Sequence, residues 1–342
     1  MSVGVRKKRV GVIGSFVWDI LHGRDGRDVP VEEWGGISYS LAAFDAALPE
    51  NWEIVPLVRV GDDLIDQARA WCRTLRHIAP DAELIGVPYR NNRVEISYID
   101  AERRSEYLSG GVPGWNWLGL KPVLDSSAVD ALYINFLSGW ELDLETMQLI
   151  RAHFSGPIYC DLHMLVMAVQ ADGLRVPRPL PYLVEWCSCF DILQVNEEEM
   201  RILAPDSMAL AATALAAGVS LLSVTLGARG SAYFAAPDFE HLADLSARKG
   251  HNIALSTSSR GGSGALGAIR TALTASVLTD GDGPGDPTGC GDVWGATHYS
   301  RLLAGDKFTV AMEAAARAAA RNVKHRGATG LAHHLRGELS VT

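Results

Sequence analysis

The chain has 342 residues, 48% of them hydrophobic, with 31 basic and 40 acidic side chains and a formal net charge of −9. That apolar content supports a large core, and the acidic balance excludes an extended nucleic-acid surface, since the RKKR run at 6–9 is too short to supply one. Five cysteines, at 72, 160, 187, 189 and 290, are odd in number and in no metal spacing, which predicts reduced thiols in a cytoplasm. No secretory leader is expected, and the apolar stretch 208–226, broken by Gly218 and serines, reads as helix followed by strand and not as a membrane span.

In chain order, a first strand is expected over RVGVIG (9–14), then a polar, Gly-containing excursion at 20–35. GSFVWD places Asp19 just past a strand terminus, where it reads equally as a turn residue or as an acceptor of two O–H hydrogen bonds from a polyhydroxylated ligand. WGGISYS sets Gly35 and Gly36 ahead of a helix whose apolar face is Leu41, Phe44 and Leu48, with Pro49 as its stop. Further β-branched runs at 52–60, 131–137, 157–162, 191–195 and 219–226 alternate with helical patterns. This predicts a mostly parallel sheet covered on both faces, with ligands beyond the carboxyl ends of its strands. RVEISYIDAERRSEYL (93–108) alternates apolar and polar residues around a charged turn, the pattern of a half-exposed antiparallel hairpin. With the 20–35 excursion it is expected to form a small lid over the sheet end, though surface loops without function fit the same pattern.

In DILQVNEEEM a strand ends at Val195, and Asn196 opens a helix with Glu199 three positions on. That spacing is a capping box, or an oxygen pair that helps hold water-shelled magnesium against nucleotide phosphates. TLGARG (225–230) is a strand end whose Gly227 and Gly230 mark a turn and would admit a ribose or phosphate close to the backbone. The span 237–285 reads as polar loop with a little strand, and GGSGALG within it as linker. GDPTGCGDVWGATHYSRLL (285–303) concentrates Gly, Pro and Asp ahead of an apolar helix. Gly289, Cys290 and Gly291 would present consecutive N–H groups at the helix start, a site for a group gaining negative charge. Asp292 follows directly, either as a partner of the helix dipole or as a base accepting the proton of a hydroxyl that attacks phosphorus. TVAMEAAARAAARNV (309–323) is a strong helix former, with Thr309 as its cap and Gly327 just beyond.

Taken together, these motifs resemble the ribokinase-like (PfkB) carbohydrate kinases, which phosphorylate sugars, nucleosides and related alcohols using ATP and magnesium. GSFVWD, WGGISYSLAA, RVGDD (59–63), the 93–108 hairpin, DILQVNEEE, VTLGARG and DPTGCGD occur in the family's order over nearly the whole chain. The resemblance implies a three-layer α/β/α fold with a mostly parallel central sheet and a small β lid. It implies one domain over 1–342, with lid segments at about 18–38 and 88–112. The activity implied is ATP-dependent transfer of the γ-phosphoryl group to a hydroxyl of a sugar or sugar-like small molecule. Asp292 then matches the catalytic base, and the amides of Gly289, Cys290 and Gly291 the anion hole. Asn196 and Glu199 match the magnesium and phosphate motif, Asn196, Thr225, Gly227 and Gly230 the nucleotide contacts, and Asp19, Gly35, Gly36 and Ser40 the acceptor contacts. A monovalent-cation site is not readable. The partners expected are a small molecule, with no nucleic acid and no membrane; a homodimer through the lid edge and a short charged strand that stays alone are both open.

Four positions depart from the family pattern. Pro287 stands where threonine is usual, Cys290 where alanine is common, Ser40 where many members carry asparagine, and Val17 where ribokinases have asparagine. The last two argue away from ribose, and Val17 with Trp18 beside Asp19 suits an acceptor with an apolar or aromatic part, such as a nucleoside, as well as it suits a packed strand end. The stretch 231–285 is longer than the family's usual separation, so no adenine contacts are assigned there. Cys290 has no histidine partner nearby in sequence, which argues against a thiol nucleophile. A nucleoside kinase of the same fold is the near alternative. A non-catalytic sugar- or nucleotide-binding regulator would not need Asp292, Asn196 and Glu199 together, and a Rossmann dehydrogenase would need G-x-G-x-x-G where the first strand ends in GVIGS.

Overall fold

The structure, a computed structural model, describes residues 6–22, 30–98, 104–245, 268–277 and 285–338. Its first strand, β1 (Lys8–Ile13), buries its last four residues, as a strand covered on both faces must. Then follow β2 (Phe16–His22), β3 (Val31–Gly36), α1 (Ile37–Ala47), β4 (Trp52–Pro56), β5 (Arg59–Gly61), α2 (Ile65–Cys72), β6 (Ile85–Val87), β7 (Arg93–Tyr98) and β8 (Arg104–Ser109). The middle of the chain supplies α3 (Trp117–Ser127), β9 (Ala131–Asn135), α4 (Leu144–His153), β10 (Ile158–Asp161), β11 (Met167–Val169), β12 (Arg175–Pro177), α5 (Leu183–Cys187) and β13 (Ile192–Asn196). The last part supplies α6 (Glu197–Leu203), α7 (Ser207–Ala216), β14 (Leu221–Thr225), β15 (Ser231–Ala235), β16 (Arg270–Thr274), α8 (Cys290–Leu303), α9 (Phe308–Asn322) and α10 (Leu331–Arg336).

Eight strands form the central sheet in the order β16-β15-β14-β13-β10-β9-β1-β4. The six from β14 to β4 are parallel, and β15 and β16 close one edge antiparallel. This is the mostly parallel α/β sheet that the alternating sequence pattern predicts. Its register sets polar strand ends side by side: Asn135 beside Asp161, Asp161 beside Gln194, and Asn196 beside Thr225. Asn135, Asp161, Asn196 and Thr225 each close their strand, with Gln194 two residues before the end of β13, so a strand that is buried along its length ends in a group that can face a ligand.

A second sheet, in the order β3-β2-β7-β8, lies over this edge. Its period-two alternation gathers Val17, Leu21, Val94, Ile96 and Leu108 into a small apolar cluster. The β11–β12 hairpin extends it, through a bridge between Tyr107 and Leu174 and a 2.8 Å bond from Leu108 N–H to Gly173 O.

α8 is buried along nearly all of its length from Val293 to Leu302, with Thr297, His298 and Ser300 enclosed among its apolar residues. A column of rings fixes it: Phe44 of α1 packs edge-on to Tyr133 of β9, Tyr133 stacks on Tyr159 of β10, and Tyr159 lies against Tyr299 of α8. The helix carrying the DPTGCGD motif is thereby locked to the middle of the sheet.

Several expectations are corrected. The run 52–60 is two strands, because β4 ends at Pro56 and β5 pairs with β6 in a separate two-stranded sheet. Proline lacks the N–H that continues a ladder. The described part of the 20–35 excursion is strand and not loop, and Asp19 lies inside β2, not past a strand terminus. Thr309 is not the cap of the Ala-rich helix; the helix starts at Phe308 with Lys307 in the capping position and no side-chain cap. The GGSGALG linker falls outside the described residues. Among those described, no helix is long and apolar enough to cross a membrane.

Gly295 shows how tightly α8 is seated. A Cβ there would lie 2.3 Å from Gln194 Oε1 and 2.9 Å from Tyr133 Oη, and both belong to buried side chains. Gly295→Ala gains about 1 kcal/mol of helix propensity but incurs an overpacking cost of about 1–3 kcal/mol. The net expected is a lower thermal midpoint, and calorimetry showing an unchanged or raised midpoint would contradict this packing.

Candidate active site

The α8 N-terminus depends on a glycine. Gly289 has φ 75°, and a Cβ on it would sit 2.2 Å from the Tyr39 ring of α1, so both backbone and space exclude a side chain. The chain turns here so that the first amides of α8 face the carboxyl edge of the sheet. The N–H groups of Gly289 and Gly291 make no hydrogen bond among the described residues. Cys290 differs from expectation, because its N–H is donated to Pro287 O at 3.1 Å and is spent in closing the turn. The anion site that the backbone offers is therefore Gly289 and Gly291, without the Cys290 amide.

Asp292 stands one residue further on, partly open to the cavity. Asn135, at the end of β9, donates Nδ2–H to its Oδ1 at 2.6 Å and contacts Ser40 Oγ at 3.4 Å. Burial raises the Asp292 carboxyl above the ordinary aspartate range, offset in part by the nearby His163 and by the Asn135 bond. The group is thus a stronger base than a surface aspartate. On its other side, Gln194 donates to Gly291 O at 3.1 Å and to Asp161 Oδ2 at 2.8 Å, while accepting from Tyr159 Oη at 2.7 Å. This chain ties the first turn of α8 to the sheet. Burial, then the neighbouring Glu199, pushes Asp161 well up, so it holds its proton more firmly than an ordinary carboxyl.

Asn196 and Glu199 do form the capping box. Asn196 N–H donates to Glu199 Oε2 at 2.8 Å, Glu199 N–H to Asn196 Oδ1 at 2.9 Å, and Asn196 Nδ2 to Glu199 Oε1 at 2.5 Å. Glu199 Oε1 also meets His163 Nδ1 at 3.2 Å. His163 follows β10 in a left-handed conformation, φ 32°, which turns its ring to the cavity. Burial opposes its protonation, but the Glu199 bond and the Asp292 and Asp161 charges outweigh it and push the imidazole up to about 9.

Asp161, His163, Gln194, Asn196, Glu199 and Asp292, with Asn135 behind them, surround a cavity of about 300 Å³. Of the residues expected from sequence, Asp19, Gly36, Asn196, Glu199, Thr225, Gly227, Gly289, Cys290, Gly291 and Asp292 reach it. Gly35 does not; it lies against the Asp19 carboxyl, where a Cβ would come within 1.9 Å of Oδ2, and so lets that carboxyl sit across the strand pair. Ser40 is fully buried behind Asn135 and does not line the cavity. Gly230 belongs to an adjoining groove of about 450 Å³, floored by small apolar residues of α9 and by Trp294. The two spaces share Thr225, Gly227, Pro287, Cys290 and Gly291, so they meet at the α8 N-terminus.

Sequence reasoning missed Asn135, Asp161, His163, Gln194, Arg175 and Glu106. The first three sit at or just beyond the carboxyl ends of apolar strand runs, and asking which polar residue ends each run would have found Asn135 and Asp161 directly, whereas Gln194 lies two residues before the end of β13. Arg175 and Glu106 meet across 69 positions, with no local signal.

No protein-family model matches the sequence, and no curated protein matches it. Solved structures match over nearly its whole length. A pyrophosphate-dependent kinase in the ribokinase family, complexed with a pyrophosphate analogue and myo-inositol, is 14% identical, with 93% of this chain and 96% of that chain covered at a TM-score of 0.66. A provisionally assigned ribokinase II from Escherichia coli, in complex with ATP and Mg2+, is 16% identical, with 94% of each chain covered and a TM-score of 0.64. The nucleoside kinase of Burkholderia thailandensis in complex with inosine is 12% identical, again with 94% of each chain covered, at a TM-score of 0.66. These likenesses establish that the chain has the ribokinase-like fold.

Removing the Asn135 donor leaves burial of Asp292 unopposed on that side. Asn135→Ala is expected to move the Asp292 carboxyl titration, followed by carbon NMR, upward by about one pH unit, the size of a lost bond to a charged group. A wild-type carboxyl titrating at or below the ordinary aspartate value, or one unmoved in the variant, would refute the arrangement.

Proposed function

We propose that the protein is an ATP-dependent kinase that transfers the γ-phosphoryl group to a hydroxyl of a small sugar-like molecule or nucleoside. The observation that carries this is the meeting of two spaces at one helix start. On one side lies a polar cavity suited to a hydroxylated acceptor, on the other a small-residue groove suited to a flat base, and between them stand a base and two unspent amides.

In this reading the acceptor hydroxyl lies beside Asp292, which takes its proton as the oxygen attacks the γ-phosphorus. The bond from that phosphorus to the β-phosphate oxygen breaks, and ADP leaves with the electron pair. The Gly289 and Gly291 N–H groups hold the equatorial oxygens, aided by the positive end of α8. Thr225, Gly227 and Gly230 bring backbone close to the donor, with Ala316, Ala319, Ala320 and Val323 under the base. The small sheet acts as the lid, through Val17, Asp19, Val94 and Ile96 on its cavity face, and excludes water from the transfer.

Magnesium fits here only with its water shell. The polar atoms of Asn196 and Glu199 are already engaged with each other, and no cluster among the described residues offers three direct ligands. The second lone pairs of the Glu199 and Asp161 oxygens suit water-mediated contact, which is how magnesium is commonly held. When bound, the ion supplies charge neutralisation at the phosphates. The apolar wall of Val17, Val94, Ile96, Leu137 and Met164 favours an acceptor with one apolar face, which keeps a nucleoside beside a sugar as the acceptor.

Asp292→Asn is expected to lower turnover about 10²–10⁴-fold, the usual contribution of a general base, with ATP affinity changed less than about twofold because the amides that bind phosphate remain. ADP release in the presence of magnesium, together with calorimetric ATP titration, checks both halves. Turnover equal to wild type would remove Asp292 from the mechanism.

A further inference from the structure

The acceptor cavity contains an ion pair that the transfer chemistry leaves unused. Arg175 of β12 donates Nη1–H to Glu106 Oε2 of β8 at 2.9 Å and Nη2–H to Leu137 O at 2.7 Å. The pair is deeply buried, with side-chain exposures of 5% and 12%. Arg175 Nε is also buried and has no hydrogen-bond partner among the described residues. A buried guanidinium N–H left unmade is costly, and a ligand oxygen that draws the side chain toward the adjoining cavity would relieve that cost. Both side chains line that cavity, where, among the described residues, Arg175 and the His163 imidazole face five carboxyl groups, Asp19, Glu106, Asp161, Glu199 and Asp292.

We propose that the Arg175–Glu106 pair is the specificity element of the acceptor site: it reads one neutral hydroxyl, Arg175 donating a hydrogen bond to its oxygen and Glu106 accepting one from its O–H, and selects a neutral polyol, sugar or nucleoside over a sugar acid. This rests on the kinase reading of the same cavity. The reason is charge. An arginine that recognises a carboxylate must bring an uncompensated charge to it, whereas Glu106 already neutralises this one. A hydroxyl, which is donor and acceptor at once, fits a fixed N–H beside a fixed carboxylate without adding charge.

The test measures binding and turnover separately. Ribose, fructose, myo-inositol and inosine are compared with ribonate, gluconate and glucuronate, by calorimetry and by ADP release, for wild type, Arg175→Met, Arg175→Lys and Glu106→Gln. Wild type is expected to bind at least one neutral ligand and to discriminate against the acids by about tenfold or more, the size of a lost hydrogen bond to a charged group. Arg175→Met weakens acceptor binding by about tenfold while ATP affinity stays within about twofold. Glu106→Gln, which frees the arginine charge, shifts preference toward the acids by about tenfold, an effect that loosened packing alone would not produce. Should Arg175→Met fail to fold, Arg175→Lys and Glu106→Gln carry the decision. Wild-type preference for acids, no binding of any neutral compound, or no change of preference in Glu106→Gln overturns the proposal even if ADP is released. Arg175-dependent binding of a neutral ligand without ADP release leaves the proposal standing and overturns the kinase reading.

Discussion

The site depends on the 2.6 Å contact between Asn135 at the end of β9 and Asp292 in the first turn of α8. A carboxylate drawn into a protein loses hydration, and the compensation must come from fixed donors. Here the donor stands on a strand buried on both faces and the acceptor on a helix locked by a column of aromatic rings, so neither can drift from the other. The backbone amides that face the same cavity inherit that rigidity through Gln194 of β13, which bonds the Gly291 carbonyl.

Much of this was legible in one dimension, for identifiable reasons. Parallel strands read as continuous apolar runs, and the Gly-rich approach to α8 announces a sharp turn because only glycine tolerates φ near 75° beneath an aromatic ring. The Asn196–Glu199 box is local and so visible as a spacing. What was not legible depends on pairing between distant segments. Asp19 was misplaced because a cross-strand partner, β3, makes it a strand residue. Ser40 carries a hydroxyl at a suggestive position, yet it is fully buried behind Asn135, which only the packing of α1 against the sheet reveals. Thr309 lost the capping position because the helix begins one residue earlier, at Phe308, a side chain that packs against Tyr233 and Phe239.

Two departures from the family pattern acquire a physical account. Pro287 supplies the carbonyl that accepts the Cys290 N–H, so the turn costs the anion site one of its three expected amides. Cys290 is the residue at which a reactive thiol would be tempting, since a helix start favours the thiolate. Burial instead pushes this thiol up to about 11, against a smaller opposing effect of the Asn322 bond. Its sulfur lies between Asn322 Nδ2 and the Ala319 carbonyl, as a wall of the groove and a contact between α8 and α9.

Arg175 also has a mechanical consequence. Its guanidinium touches the carbonyl just past β9 and a side chain of β8, while its backbone belongs to the hairpin that bonds edge-on to β8. Hairpin and small sheet are therefore tied to each other through Glu106 and to the chain just past β9 through the Leu137 carbonyl, so one guanidinium shielded from water joins three distant pieces of the sequence.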